Sequence, residues 1–315
     1  MILSVILICY NQKEFIVQAI ESVLRQKTDF DFELIIGDDC STDGTSEIIG
    51  GYANNSAFVK HFRHSSNLGL IGNFAFCHMQ ATGKYIATLD GDDYWIDETK
   101  LSKQVAMMEN GPRIGFVHTQ YDSLYMYPKF FGKRYVKNVL SRKIAKNNCS
   151  FEGILTEYSV RSSSVCYRRK VIDDSNIIKE FKKQTFTVED WPIHLQCSLG
   201  WQVGYISDST TVYRINRKSV SHFEDNEQRL EFIQSLLKVK EYFAKQITVD
   251  SRMEANWNRS NNMSIAYHYY KEDNYSAYKK VYRQIKRKPL NLHAMFWMLW
   301  LKENRLLKSE GIFKF

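Results

Sequence analysis

Over the first 120 residues, short apolar runs alternate with stretches of helical periodicity, and the runs lead into acids or amides. Residues 2–9 end at Tyr10-Asn11, residues 32–37 at Asp38-Asp39, and residues 84–89 run directly into Asp90-Gly91-Asp92-Asp93. A weaker run, residues 59–62, precedes Asn67-Leu68-Gly69, and residues 114–118 form another. Apolar runs of this length without alternation suit strands buried on both faces. Between them, Phe15, Ile16, Ala19, Ile20, Val23 and Leu24 recur at helical spacing, a Ser-Thr-Asp-Gly-Thr turn at 41–45 opens a second helix, residues 73–80 suit a third, and Leu101, Val105 and Met108 mark a fourth. The alternation predicts an α/β fold with a mostly parallel, doubly wound, Rossmann-like sheet. Ligands of such sheets sit beyond the carboxyl ends of the strands, so polar groups scattered over some 80 positions are expected to meet in one crevice.

Charge divides the chain. The 315 residues carry 43 basic and 35 acidic side chains, a net of +8, which by itself invites a nucleic-acid partner. Residues 1–110 nevertheless have a net of −7 and the remainder +15. No RNA-recognition, helix-turn-helix or zinc motif is present, and acids at strand ends would repel phosphates without a metal, so no nucleic-acid partner is expected. The six cysteines lack paired spacing, which fits a reducing compartment. The amino terminus has no basic residue ahead of its apolar run, and no apolar stretch reaches roughly 18 residues. A cytoplasmic protein without a membrane span is expected.

Beyond residue 120 the pattern weakens. Lys129, Lys133, Arg134, Lys137, Arg142, Lys143 and Lys146 fall in an acid-free, aromatic-rich stretch that reads as a basic loop or hairpin. From about residue 225 the spacing turns helical, predicting an α-hairpin or small bundle. The expected organisation is a first domain over 1–224, divided into halves 1–118 and 119–224, followed by a helical region over 225–315.

The Asp90-Gly91-Asp92 triplet puts two carboxylates on a tight turn after a strand, where they can face one hard cation; alone, such an acidic turn is equally a solvated loop. Its surroundings are more specific. SVILICYNQKEFIVQAIESVLRQ, FELIIGDDCSTDGTSEII, Asn-Leu-Gly at 67–69 and GKYIATLDGDDYW, followed by Lys100-Leu101 and Gln104, resemble in order the family 2 glycosyltransferases of GT-A fold. These are inverting enzymes that use nucleotide-activated sugars. The resemblance is strong over 1–110, moderate over 160–222 and absent beyond. It implies that the first domain is catalytic, with 1–118 its donor half and 119–224 its acceptor half.

Carried onto this chain, the resemblance implies a nucleobase pocket lined by Cys9 and Tyr10, with Asn11 beside them. It makes Asp39 the acid that reads the base, next to Asp38, and puts Asn67 and Asn73 in the loop packed against the nucleotide. Asp90 would lie near ribose and metal, and Asp92 would be the principal ligand of a divalent cation, Mn²⁺ or Mg²⁺. Cys9 also reads simply as a buried strand residue. The pair Glu189-Asp190 matches the family's acidic pair, with Asp190 as general base; locally, Asp190 is equally the N-cap of a helix over 191–199. Arg214, in a Tyr-Arg pair, would hold the diphosphate. Asn216 stands where the family often has histidine, and His222 either completes the metal shell or is an exposed or capping residue.

The expected activity is transfer of a sugar from a nucleotide-sugar, a UDP-sugar for preference, to a glycan or lipid-diphosphate-linked acceptor in surface polysaccharide biosynthesis. A teichoic-acid-like polymer or a protein is the alternative acceptor. A sugar nucleotidyltransferase would carry a Gly-rich, Arg-containing loop where Tyr10-Asn11-Gln12 stand. Finally, Lys279, Lys280, Arg283, Lys286, Arg287 and Lys288 precede the apolar, aromatic run 292–301. That arrangement fits either peripheral docking on an anionic membrane or a helix packed against its own protein.

Overall fold

The seven residues Leu3–Cys9 form β1 and are buried from end to end, as a strand covered on both faces must be. The computed structural model describes residues 1–126, 133–140, 142–156, 159–216, 226–248, 251–271, 273–285 and 290–303. They separate into two compact units, Met1–His222 and Phe223–Phe315.

In the first unit β1 leads through α1 (Ile16–Leu24), β2 (Phe32–Asp38), α2 (Thr45–Asn55), β3 (Val59–Arg63) and α3 (Gly69–Gln80) to β4 (Tyr85–Asp90). Ile16, Ala19, Ile20 and Val23 bury the inner face of α1 against the sheet, in one core with Val5, Leu7, Leu34, Ile36, Ala87 and Leu89. The strands β3, β2, β1 and β4 are parallel neighbours. Their register places Cys9 opposite Asp38, Ile8 opposite Asp90 and Asp38 opposite Arg63. The carboxyl ends are therefore level, and the polar residues that follow them emerge at one edge. Gly37 is required here: a Cβ at this position would lie 2.1 Å from Asn73 Oδ1 and 2.4 Å from Cys77 Sγ, where α3 crosses β2.

The chain continues through β5 (Tyr94–Trp95), α4 (Lys100–Asn110), β6 (Ile114–Tyr125), β7 (Arg134–Val136), α5 (Arg142–Asn147), α6 (Phe151–Thr156), a 3₁₀ turn (Ser162–Ser164), β8 (Val165–Arg168), α7 (Arg169–Ser175), α8 (Ile177–Lys183), α9 (Asp190–Ser198) and β9 (Gln202–Ile215). The sheet order is β3-β2-β1-β4-β8-β6-β9-β5, with β7 paired to β6. Beyond β4 the sheet is mixed. β8 leaves the 3₁₀ turn at the carboxyl end of β4 and runs back down, so it is antiparallel to β4 and β6. β6 extends well past the apolar run at 114–118, because its polar second half is buried against β9 with its side chains bonded: Thr119 to Thr210 at 2.7 Å, and Asp122 to Ser209 at 2.6 Å. The basic stretch after residue 128 supplies β7 and α5; Lys129 lies outside the described residues.

The second unit contains α10 (Asn226–Ala244), α11 (Ser251–Lys271), α12 (Tyr275–Gln284) and α13 (Leu290–Glu303). Leu292, Met295 and Leu299 repeat at helical spacing on α13 and pack with Tyr278, Ile285 and Ala266. Asn274 caps α12, accepting from Ala277 N at 3.0 Å. Part of the aromatic run 292–301 is thus core of this unit, while Trp297 stays 56% exposed. Lys286, Arg287 and Lys288 lie outside the described residues. No helix among the described residues is long and apolar enough to cross a membrane.

Candidate active site

At the carboxyl edge, β1 and β2 open into loops that brace one another. Asn11, at a φ of +53° that favours Asn, donates its N–H to Ser41 Oγ at 2.9 Å, and its Oδ1 accepts from Thr42 N at 2.9 Å. Asn11 is therefore a loop tie. Tyr10 beside it is 48% exposed. Asp38 is fully buried and turned inward, accepting from Ser41 N at 2.9 Å with His61 Nε2 3.8 Å away. Burial works against its charge, but His61, Ser41 and Ser46 hold its carboxyl below the ordinary range.

Asp39 has a different environment. Its Oδ1 takes the Leu68 N–H at 2.6 Å and its carbonyl takes Asn67 Nδ2 at 3.2 Å, so the 67–69 turn is fastened to it. Oδ2 makes no hydrogen bond among the described residues. Asn73 is buried, donating to Gly37 O at 2.9 Å and pairing with His64 Nε2 at 3.0 Å. It is a brace between α3 and β2 rather than a ligand group. Cys9 is likewise a core residue: its thiol lies 3.6 Å from Gly37 O, and burial followed by the charge of Asp38 pushes it well above the ordinary thiol range.

The acidic turn after β4 assigns each carboxylate a different task. Gly91 is the only residue type that fits between Asp90 and Asp92, since a Cβ would lie 2.7 Å from Cys9 Cβ. Asp93 is buried and fully engaged, accepting from Ser163 Oγ and from Arg214 N, each at 2.8 Å. Asp92 receives Asn216 Nδ2 on Oδ2 at 3.0 Å. Asp90 receives Ser162 Oγ on Oδ2 at 2.5 Å. Burial, then the charge of Asp92, pushes the Asp90 carboxyl up to about 7, and Asp190 adds to the effect. Asp92 is raised as well, chiefly by burial. Two crowded carboxylates, each with one oxygen engaged by a side chain among the described residues, are a donor pair of the kind that could hold a hard divalent cation. Among the described residues no third His, Cys, Asp or Glu joins them. His222 lies outside the described residues.

Glu189 and Asp190 come from the start of α9. Asp190 is the first helical residue and its Oδ1 accepts from Trp191 N at 2.7 Å, so Glu189 holds the cap position that the sequence suggested for Asp190. Trp191 anchors this helix end, donating Nε1 to Ile154 O at 3.0 Å. Burial, then the charges of Asp190 and Asp90, push the Glu189 carboxyl far up.

Arg214 does not fit the expected diphosphate contact. It is 4% exposed, donates to the Asp92 carbonyl and to Gln18 Oε1, and lies 4.9 Å from the ring centre of Phe15 and 4.5 Å from that of Tyr94. It supports the acidic turn from beneath. A further depression of about 500 Å³, lined by Met1, Lys84, Arg169, Lys170 and others, lies at the amino ends of β1 and β4. Its Lys84, Arg169 and Lys170 are paired with Glu109, Asp173 and Asp174.

With this arrangement in view, the sequence profile of glycosyl transferase family 2 matches residues 4–151. This segment, just under half of the chain, is thus similar to glycosyltransferase family 2. An uncharacterized protein of Mycobacterium tuberculosis is 29% identical over 237 residues, 72% of this chain and 62% of its own length. The chain thus spans less than two thirds of the mycobacterial relative it matches. The Escherichia coli protein named UDP-Glc:alpha-D-GlcNAc-diphosphoundecaprenol beta-1,3-glucosyltransferase WfaP is 36% identical over 120 residues, 38% of this chain and 46% of that protein. The mannosyltransferase PcManGT from Pyrobaculum calidifontis, solved with GDP-Man and Mn²⁺, superimposes with a TM-score of 0.62 at 15% identity over 97% of this chain and 81% of that one. This likeness establishes the GT-A fold.

Several supports of the family 2 site carry no signal in composition or period. Ser162, Ser163 and Asn216 hold the acidic turn from positions 70 to 124 residues away. Lys100 is wholly buried, its Nζ 2.7 Å from Gln104 Oε1 and 4.3 Å from the Trp95 ring centre, and burial pulls its ammonium down to about 7. Gln104 Nε2 in turn reaches Ser164 O at 2.9 Å. The Lys-Leu-x-x-Gln pattern was legible; that it braces the serine turn was not.

Proposed function

We propose that this chain is a metal-dependent inverting glycosyltransferase that moves a sugar from a UDP-sugar to a glycan or lipid-diphosphate-linked hydroxyl in surface polysaccharide biosynthesis. The observation that carries the proposal is the gathering of Asp39, Asp90, Asp92 and Asp190, drawn from three separate parts of the chain, the end of β2, the turn after β4 and the start of α9. Uracil offers a single N–H donor on the edge an acid reads, whereas guanine offers two. An Asp39 with one oxygen already committed to Leu68 matches the single donor better.

Asp190 accepts the proton of the acceptor hydroxyl as that oxygen attacks the anomeric carbon. The bond to the nucleoside diphosphate breaks on the opposite face, configuration inverts, and no covalent enzyme intermediate forms. Glu189, buried and driven toward its neutral form, steadies Asp190 rather than acting as a second base. Asp92, with Asp90 beside it, would hold the divalent cation, which when bound stabilises charge on the leaving diphosphate. The names of WfaP and PcManGT support, respectively, a UDP-sugar with a lipid-linked acceptor and a manganese requirement. Exposed Trp297 and the acid-free basic segment 274–302 support peripheral association with an anionic membrane face.

The test is a screen of nucleotide-sugars for Mn²⁺-dependent hydrolysis and transfer, with Asp190→Asn as the control. The expected result is turnover of a UDP-sugar by the wild-type protein and a loss of about 10²-fold to 10⁴-fold in the variant. Transfer by Asp190→Asn at the wild-type rate and saturating donor would remove Asp190 as the base.

A further inference from the structure

We infer that Ser162 is a positioning residue of the donor site, one that fixes which oxygen of Asp90 is offered to the ligand. The inference rests on the donor-site reading of Asp90 given above. Ser162 Oγ donates to Asp90 Oδ2 at 2.5 Å, leaving Oδ1 as the presented atom. The serine is itself held by the strand that carries Asp90: Thr88 Oγ1 donates to Ser162 O at 2.6 Å. Its neighbours are locked just as firmly. Ser163 donates to Asp93 Oδ2 at 2.8 Å and receives Trp95 Nε1 on its carbonyl at 2.9 Å, while Ser164 N donates to Arg161 O at 2.9 Å. On the other side of the turn, the Arg161 guanidinium lies 4.2 Å from the ring centre of Tyr213.

The 3₁₀ turn therefore grips the acidic segment at both ends, at Asp90 and at Asp93. It does so from a part of the chain that reaches the site only because β8 inserts beside β4. A carboxylate held by one charge-assisted hydrogen bond cannot turn about its terminal torsion without breaking that bond, so its second oxygen keeps a fixed direction. Removing the hydroxyl leaves Asp90 in place but free to rotate, and the ligand must then bear the ordering cost.

The experiment measures binding of UDP in the presence of Mn²⁺ by calorimetry, together with ligand-free thermal unfolding, for the wild-type protein, Ser162→Ala and Ser162→Thr. The expected result is about tenfold weaker binding for Ser162→Ala, the size of one hydrogen bond to a charged group. Its melting temperature should fall only by the several degrees that one hydrogen bond accounts for, and Ser162→Thr, which keeps the hydroxyl, should restore both. Wild-type affinity in Ser162→Ala would overturn the inference. So would a binding loss that follows a general drop in melting temperature and is not restored by threonine. A wild-type protein that binds neither UDP nor GDP with Mn²⁺ would instead remove the donor-site reading, and this inference with it.

Discussion

Replacing Arg214 with Met separates two roles for this residue. Methionine keeps much of the stem volume and removes the charge and all donors. Arg214 is buried and its side chain makes two hydrogen bonds, to the Asp92 carbonyl and to Gln18 Oε1, with the rings of Phe15 and Tyr94 close by. Hydrogen bonds to a charged group contribute about 1.5–3 kcal/mol each, and partly desolvated cation–ring contacts about 1–2 kcal/mol. These do not add fully, because the guanidinium was itself costly to desolvate. The variant also removes the positive charge of Arg214 from beside Asp92 and Asp93, both already pushed up by burial. The expected loss is about 3–5 kcal/mol, the range for breaking one side of a buried charge cluster. It should appear in urea unfolding as a lower midpoint with an unchanged slope. If Arg214→Met unfolds at the wild-type midpoint yet loses UDP binding, the side chain is a diphosphate ligand after all, and its support of the turn is refuted.

Asp92→Ala should abolish Mn²⁺-dependent UDP binding by calorimetry; unchanged binding would exclude Asp92 from the metal shell. The buried histidines His118 and His194 are pulled below the ordinary range by burial, to about 4 and about 3. They stay neutral in the folded protein and take up protons on unfolding, so their share of stability is intact above pH 6.5 and declines as pH falls toward 4, by roughly 1.4 kcal/mol per unit for each. Asp90, Asp93 and Glu189, raised in the folded state, act in the opposite sense. The histidine share is therefore read from the difference in pH slope between wild type and His118→Leu, and equal slopes would refute it. The full chain should sediment with phosphatidylglycerol vesicles at physiological salt, and Trp297→Ser should weaken this; a wild-type protein that stays in the supernatant disposes of membrane docking.

The elements over residues 1–110 were legible because each one buries an unbroken apolar pattern. Seven apolar or small residues in β1 and the Ile16-Ala19-Ile20-Val23 stripe of α1 have no second reading. The second half of β6 and the whole of β9 were not legible. Thr119, Gln120, Asp122, Thr210 and Thr211 are polar yet buried, satisfied by partners up to 117 residues away, and local period carries no trace of such pairing.

The same division runs through the site. By itself the sequence determined that acids and amides follow the strands, and strand geometry then requires them to share an edge, since parallel register keeps carboxyl ends level. It could not say which of those groups faces a ligand. Asp38, Asp39, Asp90, Asp92 and Asp93 are alike as letters, but only the tertiary structure spends Asp38 on the Ser41 loop and Asp93 on Ser163 and Arg214. Among the described residues it engages only one side-chain oxygen of each of Asp39, Asp90 and Asp92 through another residue. The physical reason is that a carboxylate's task is set by which donors surround it, and here those donors arrive from loops and turns distant in the chain.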